Sequence, residues 1–568
     1  MKLMFGRRSR LAQLALGAAV AASVLLPAQP AQAASGLDPF AANFKLTRVD
    51  GDKTGLIDSA EAAGVAKASV TDVLGTRTGR PGLCHATALN GALKPAGFCW
   101  DDEDDRSDYS DAEGGWMPQG FAGSHAATAD GLYAGRSLTA TSWYHGTWVK
   151  DRKPSTVEDY ARVTIAESAG GQVKYGHIAL VEPIAGNFMQ LKYASHADGV
   201  AWYGNRLFVA NGAELQVFDL TRMWRMNDTA SAVTGMASGK TSARYHLWAM
   251  PLVARYSTIS TATVDDPATA WRNSSPRACG AEVFNELCLS SLSVDRSGPT
   301  PALVSVENRQ GAGARIVRWP LSALGTGLPT TVASETTGYT SPVWGIQGTA
   351  TDGTSYYMSG TCPAYWPAGY SCVHVAKPGE APHVLTQAPE LTQGLSWDPL
   401  AKRLWGANEA LVDSSGPRRV VFNIEPDAGK AVDGWSWLTN FHQAGSVCAT
   451  PQGNGTANGT PITVWTCTGS DVQRWKYENG LIVHKASGKC ITPEANGANT
   501  NGALLTLWTC NPSSDVQRFS PSADGSAVNA YGKAITPKGN SFGNGVWLTL
   551  WTQGSPTPDA QDWVVKGF

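Results

Sequence analysis

Charge is scarce in this sequence. Only 16% of its 568 residues are Asp, Glu, Lys or Arg, and 45 basic side chains face 47 acidic ones for a net charge of −2. No clustered basic footprint of the kind nucleic acid requires is present, which excludes that class of partner. Apart from the stretch Leu11 to Leu26 near the N-terminus, no apolar run approaches the roughly 18 residues that span a bilayer. Gly-x-Ser-x-Gly, His-Glu-x-x-His, phosphate-loop and dinucleotide patterns are missing. No cysteine pair has the Cys-x-x-Cys spacing of a zinc site, and sustained helical periodicity is rare.

What the chain has instead is 61 glycines and 21 tryptophans, the composition of a loop-rich all-β protein with many aromatic faces. Its first 34 residues read as an export signal: Lys2, Arg7, Arg8 and Arg10, then the apolar stretch, then Ala31-Gln32-Ala33 as a small-residue cleavage site. A secreted, extracellular product is expected. Ten cysteines follow the signal in close pairs, Cys84 with Cys99, Cys279 with Cys288, Cys362 with Cys372, Cys448 with Cys467 and Cys490 with Cys510, so five disulfides are expected.

The C-terminal part repeats itself three times. Val464-Trp465-Thr466-Cys467, Leu507-Trp508-Thr509-Cys510 and Leu550-Trp551-Thr552-Gln553 place tryptophans 43 residues apart. Gln473-Arg474-Trp475, Gln517-Arg518-Phe519 and Gln561-Asp562-Trp563 recur at 44, and Asn-Gly turns precede each tryptophan. Such units imply a threefold β structure. Units one and two each carry a cysteine pair, whereas the third has Ala534 and Gln553 there. That joint loss points to one bridge inside each of the first two units.

These residues resemble the ricin B-type lectins, whose β-trefoil carries a Gln-x-Trp triplet in each lobe. The resemblance covers residues 434–568 and implies a carbohydrate partner, a polysaccharide or cell-surface glycan. It also implies that Trp475, Phe519 and Trp563 are core. Family pockets use an Asp two residues after the first cysteine, an Asn before the triplet glutamine, and an aromatic platform. This chain has Thr450, Thr492 and Thr536 at the Asp positions, and Val472, Val516 and Ala560 at the Asn positions. The sugar-binding candidates are therefore these threonines, the tryptophans Trp465, Trp508 and Trp551, and the acids Asp471, Asp515 and Asp559. The alternative for those acids is that they cap turns.

Residues 35–114 form an N-terminal segment with one metal-like motif. Asp50, Asp52, Thr54, Leu56, Asp58 and Glu61 have the ligand spacing of an EF-hand loop entered by a helix from Phe44 to Val49. Calcium is the expected ion; the alternative is an acid-rich Asp-Gly turn. A second acidic run, Asp101 to Asp105 with Asp108, Asp111 and Glu113, is expected to be a solvated loop.

Residues 115–433 repeat a looser phrase in which a polar residue and a glycine open an apolar strand: Gln119-Gly120, Asp198-Gly199, Trp344-Gly345 and Gln393-Gly394. The region resembles secreted bacterial β-propeller-like domains, so five or six four-stranded blades are expected, with a β-sandwich as the alternative. Inner strands of a propeller open at its axis, which makes Gln119, His125, His196, Asp198, Gln347 and Gln393 candidates for a central polar site. Asp198, Glu182, Glu282, Glu286 and Glu307 are carboxylates available for glycosidic chemistry, and His196 is a possible base for a lyase. Two functions remain open: a secreted glycan-binding protein, and a glycan-degrading hydrolase or lyase that carries a lectin module.

Overall fold

In a computed structural model the protein is described over residues 36–106, 115–146, 148–149, 153–154, 160–191, 195–259, 287–309, 313–362, 371–410, 418–429, 435–440, 443, 447–478, 480–521, 526–555 and 557–565. The expected export signal, Cys279, Glu282, Glu286, Asp108, Asp111 and Glu113 lie outside the described residues. The protein is all-β, and among the described residues no helix is long and apolar enough to cross a membrane.

Between residues 115 and 424 most of the described strands fall in five antiparallel ladders. The first comprises Gly115–Gly123, Thr139–Gly146, Tyr160–Ala169 and Gln172–Ile184. The second comprises Gly199–Tyr203, Arg206–Asn211, Glu214–Asp219 and Trp248–Ser257. Ser291–Asp295, Ala302–Val306, Ala314–Pro320 and Thr337–Ser341 make the third. Gly348–Thr351, Tyr356–Thr361, Ser371–Ala376 and His383–Ala388 make the fourth. In the fifth, Thr392–Asp398, Arg403–Asn408 and Val421–Ile424 are completed by Ala96–Cys99 from the N-terminal segment.

The N-terminal residues are thus not a separate segment. Asp38–Ala41 edges the third ladder, and Arg77–Pro81 continues the fifth and pairs with the first. A C-terminal ladder completed by N-terminal strands ties distant parts of the sequence through backbone hydrogen bonds.

The first strands of the five ladders lie against one another in order, with the fifth returning to the first. Their opening glycines explain the spacing. A methyl group at Gly120 would lie 2.2 Å from Val200 N, and one at Gly394 would lie 2.4 Å from Phe121 N, so neighbouring backbones meet where no side chain fits. Gly199 and Gly348 meet the next ladder in the same way. The expected opening at Trp344-Gly345 is displaced: Gly345 is a turn residue with φ +63° and Trp344 is exposed, and the fourth ladder begins at Gly348.

The C-terminal repeats form the expected β-trefoil. Val447–Pro451 with Ile462–Thr466, Cys490–Pro493 with Leu505–Trp508, and Lys533–Pro537 with Leu548–Thr552 are the three equivalent hairpins. Gly459 N donates to Leu507 O at 2.8 Å, Gly502 N to Leu550 O at 2.7 Å and Gly545 N to Val464 O at 2.8 Å. Three bonds at matching positions define the pseudo-threefold axis. Ile462, Val464, Leu505, Leu507, Leu548 and Leu550 pack with Trp475, Phe519 and Trp563 in one buried core, so the triplet aromatics are core as expected.

Disulfides join Cys84 to Cys99, Cys362 to Cys372, Cys448 to Cys467 and Cys490 to Cys510. Cys288 is buried, and its expected partner is outside the described residues.

Candidate functional sites

In each trefoil lobe the triplet glutamine is a buried bracket. Gln473 Nε2 donates to Thr450 Oγ1 (3.0 Å) and Thr466 O (2.9 Å), while its Oε1 accepts from Thr468 N (2.6 Å). Gln517 does the same with Thr492 and Thr509 O, and Gln561 with Thr536 and Thr552 O. Thr450, Thr492 and Thr536 are buried and occupied by these bonds. They are corrected from sugar ligands to core struts. The family Asp position has here become part of the core because threonine is short enough to turn inward onto the glutamine.

Trp465, Trp508 and Trp551 differ sharply from the core aromatics, being 44%, 45% and 45% exposed. Each stands at the end of its hairpin beside an Asn-Gly turn from another lobe. Asn544 Oδ1 accepts from Thr466 N at 2.8 Å, Asn458 Oδ1 from Thr509 N at 3.1 Å, and Asn501 Oδ1 from Thr552 N at 2.8 Å. The sequence therefore builds three equivalent exposed indoles, each fixed by the turn of a neighbouring lobe. Asp471, Asp515 and Asp559 open the short 3₁₀ turns that lead into the glutamines, and all three are exposed. Asp471 also pairs with Lys485 at 2.8 Å, which helps hold its carboxyl below the usual carboxylate range.

The EF-hand conformation does not form. Lys45–Arg48 is a strand where an entering helix was expected, and Thr54–Ala62 is a helix where the binding loop would have to be open. Asp52 turns back to accept from Thr54 N at 2.8 Å. Asp50 faces Lys53 (2.9 Å) and Arg255 (3.1 Å), whereas Asp58 and Glu61 face Arg222. Glu61 also accepts from Lys67 and Trp224 Nε1, and these partners hold its carboxyl low against the opposing effect of burial. A helix starting at Thr54 carries these acids to different cations, so the set Asp50, Asp52, Thr54, Leu56, Asp58 and Glu61 is not gathered around one point.

The second acidic run is not a solvated loop at its start. Asp104 and Asp105 are buried. Asp104 accepts from Arg162 (2.6 Å), Tyr175 (2.6 Å) and His177 Nε2 (3.0 Å). Although burial alone would raise it, the surrounding His177, Arg162 and Arg77 hold the carboxyl well below its usual range. Burial pushes His177 down to about 4, so at neutral pH it acts as a neutral N–H donor and the charge partners of Asp104 are the arginines.

At the opening end of the inner strands, three ladders bring polar groups together. His196 Nδ1 meets Asp198 Oδ1 at 2.8 Å, and Asp198 Oδ2 accepts from Gly212 N at 2.9 Å. The His196 ring stacks on Tyr144 with centroids 4.0 Å apart. Tyr144 OH lies 3.3 Å from Glu409 Oε1, and Gln393 Nε2 donates to Glu409 Oε2 at 2.9 Å. Gln119 also bonds to Glu409, whose carboxyl is pushed up by burial. His196, Asp198 and Glu409 each keep part of their surface open to solvent. Gln347 joins this end of the ring through Asn308 Nδ2, at 2.9 Å.

Of the six expected axial residues, Gln119, His196, Asp198 and Gln393 thus share one cluster. His125 is a correction: it sits on the short helix Ser124–Ala127 beyond the far end of its strand, against Trp405 and 2.9 Å from Ser396 Oγ, and burial lowers it to about 4. Glu182 and Glu307 are taken by Arg255 and Arg315.

Sequence reasoning missed Tyr144 and Glu409. Glu409 had a readable signal, since Ala407-Asn408-Glu409 ends the second strand of the fifth ladder as Ala210-Asn211-Gly212 ends that of the second. Tyr144 lies mid-strand in an aromatic run and had none.

The family model for the ricin-type beta-trefoil lectin domain matches residues 437–563. Among curated proteins, 60 residues align at 42% identity with "Probable lipoprotein EnvE" of Salmonella typhimurium; the aligned part is 10% of this chain and 35% of that relative. Among solved structures, the designed threefold-symmetric protein ThreeFoil is 22% identical, covering 23% of this chain and 97% of its own, with a TM-score of 0.21. The C-half of an earthworm R-type lectin in complex with GalNAc is 14% identical over 23% of this chain and 96% of its own, with a TM-score of 0.19. An exo-beta-1,3-galactanase of Clostridium thermocellum, 1,3Gal43A, is 11% identical over 81% of this chain and 98% of its own, with a TM-score of 0.27.

Proposed function

We propose that this protein, whose residues 437–563 are a ricin-type lectin β-trefoil, is an exported carbohydrate-binding protein that grips polysaccharide or cell-surface glycan by the rim of that domain. One observation carries the reading: Trp465, Trp508 and Trp551 present three equivalent, half-exposed indoles around a threefold axis. Folding normally hides such rings; three left open at matched positions supply apolar faces for the C–H surfaces of sugar rings. The exposed carboxylates Asp471, Asp515 and Asp559, one per lobe, are the acceptors we assign to sugar hydroxyls, taking over from the family Asp that is absent. Three weak sites on one rigid domain bind a repeating polymer with an avidity that no single site has.

The larger β body is read as a five-bladed propeller. Its support is the ring of five inner strands, in which glycines let each backbone meet the next, and the N-terminal strand that completes the fifth ladder. Four disulfides fit folding in an oxidising compartment, as an exported protein would.

The test is a glycan array probed with the full mature chain and with the triple variant Trp465→Ala, Trp508→Ala, Trp551→Ala. Retention of every array signal by a folded triple variant would reject the assignment of the indoles. Absence of any signal from the unsubstituted chain would reject carbohydrate binding.

A further inference from the structure

The polar cluster at the opening end of the ring is separate from the lectin rim and has the parts of an acid–base site. We propose that Glu409, Tyr144, His196 and Asp198 hydrolyse a glycosidic bond in a neutral glycan, which makes the protein a glycan-cleaving enzyme with its own binding module. The proposal rests on the carbohydrate reading above and adds a reaction to it.

The geometry supplies two unlike ends. Asp198 has one oxygen on His196 Nδ1 and the other on Gly212 N, so it fixes the orientation of the imidazole. This is the arrangement in which a carboxylate keeps a histidine in the tautomer that can accept a proton. At the hydroxyl end of Tyr144, Glu409 receives Gln393 and Gln119 and lies at hydrogen-bond distance from the phenol. Gln393 is 1% exposed, and its Oε1 has no hydrogen-bond partner among the described residues. A buried amide oxygen left unpaired beside an open polar cluster is an acceptor in place for a ligand hydroxyl. Burial favours the neutral, proton-bearing form of Glu409, whereas Asp198 sits in a hydrogen-bonded, partly wet setting. A carboxyl group favoured in its neutral form by burial is suited to the acid role.

In the step, Glu409 gives its proton to the glycosidic oxygen as the bond from that oxygen to the anomeric carbon breaks. A water molecule forms the new bond to the anomeric carbon and gives a proton to His196. Solvent then carries that proton back to Glu409, so the protein is unchanged and one water is consumed. No oxidant or further reactant is needed.

Among the described residues, the charges around the site favour a neutral substrate and hydrolysis over elimination. Eliminating a uronic acid requires a cation to neutralise the substrate carboxylate. The arginine nearest Glu409 is Arg419, whose guanidinium is buried and donates to the carbonyls of Asp104, Trp116 and Glu409. Arg315 and Arg309 in the third ladder are paired with Glu307.

The experiment incubates the full mature chain with galactan, arabinan, xylan, laminarin and mannan, and measures new reducing ends, followed by proton NMR of the anomeric region. New reducing ends without unsaturated uronate signals are expected from at least one of these neutral polymers. Glu409→Gln, which preserves shape and hydrogen bonding, should lower the rate at least 100-fold, and His196→Ala by a similar factor, with array binding unchanged in both. Array binding without reducing-end release from any of the five polymers would overturn the proposal and leave the lectin reading standing. Full activity in a folded Glu409→Gln variant would overturn the assignment of the acid.

Discussion

The side-chain amide of Gln473 donates to Thr450 Oγ1 at 3.0 Å, and the same bond joins Gln517 to Thr492 at 2.8 Å and Gln561 to Thr536 at 3.3 Å. A residue position used for sugar in related trefoils has here been turned inward, so affinity and stability separate. Thr450→Val keeps the volume but removes the acceptor and leaves one amide hydrogen of a buried glutamine unpaired. The expected loss is about 1–3 kcal/mol in denaturant unfolding, with glycan binding by the folded variant unchanged. A fall in binding without a fall in stability would contradict the inward role.

That separation shows which parts of the molecule the sequence made legible. Matched spacings of 43 and 44 residues revealed the trefoil because a threefold fold repeats its turns, hairpins and core glutamines in register. Gly120, Gly199 and Gly394 were visible because close backbone approach admits one residue type, whereas Gly348 was misplaced at Gly345. Tyr144 was not visible, and the strand-end signal at Glu409 named no partner, since a cluster assembled from three ladders leaves no local spacing that joins its members. The acid-rich stretch Asp50 to Glu61 misled in the opposite direction. Its ligand spacing is local, but its real partners, Arg222 and Arg255, are more than a hundred residues away.

Arg255 is the hub of that N-terminal arrangement. Its guanidinium is fully buried among Asp50 (3.1 Å), Glu182 (3.2 Å) and Glu214 (3.5 Å). Arg255→Met would leave those carboxylates with less positive charge than they need in a dry setting, even with Lys53 still beside Asp50 and Glu182. A loss of about 3–5 kcal/mol is expected from breaking such a set. Because these acids are held by cations, EDTA should leave the melting temperature of the unsubstituted protein unchanged. A drop in chelator restored by added calcium would reinstate a metal at Asp50 to Glu61.

Gly120 tests the ring. Its missing side chain lets the first ladder lie on the second, where a methyl would stand 2.2 Å from Val200 N and 2.6 Å from Gly199 C. Both contacts are backbone and cannot rotate away. Gly120→Ala should therefore destabilise by more than the few tenths of a kcal/mol typical of surface changes, on the order of 1–3 kcal/mol. Gly135→Ala, on a loop with φ +73° and open space around it, serves as the strained but uncrowded comparison. Equal losses at the two sites would mean that backbone conformation, and not close packing of the inner strands, sets the cost at Gly120.

Acid sensitivity follows from the buried imidazoles. Burial lowers His125, His145, His177 and His374 to about 4 and His246 to about 3. In the unfolded chain each titrates near its ordinary 6.5, so between about pH 6.5 and pH 4 the unfolded state takes up protons that the folded state refuses. Stability must then fall as pH drops through that window, and the contribution of these groups levels off below it. Asp104, held low, acts in the same direction at still lower pH, while Glu409, held high, acts oppositely and weakens folding as pH rises past the ordinary glutamate range. These five imidazoles, joined by His484, which burial also lowers, outweigh one glutamate and make acid destabilisation the net outcome, at about 1–3 kcal/mol per imidazole. His374 is the cleanest probe, because its Nε2 lies 3.0 Å from Thr361 O and burial is the leading cause of its shift. Urea midpoints measured from pH 8 to pH 4 should decline most steeply between 6.5 and 4, and His374→Gln should flatten that slope by roughly one proton's worth. An unchanged slope in the variant would show that His374 takes up its proton without unfolding.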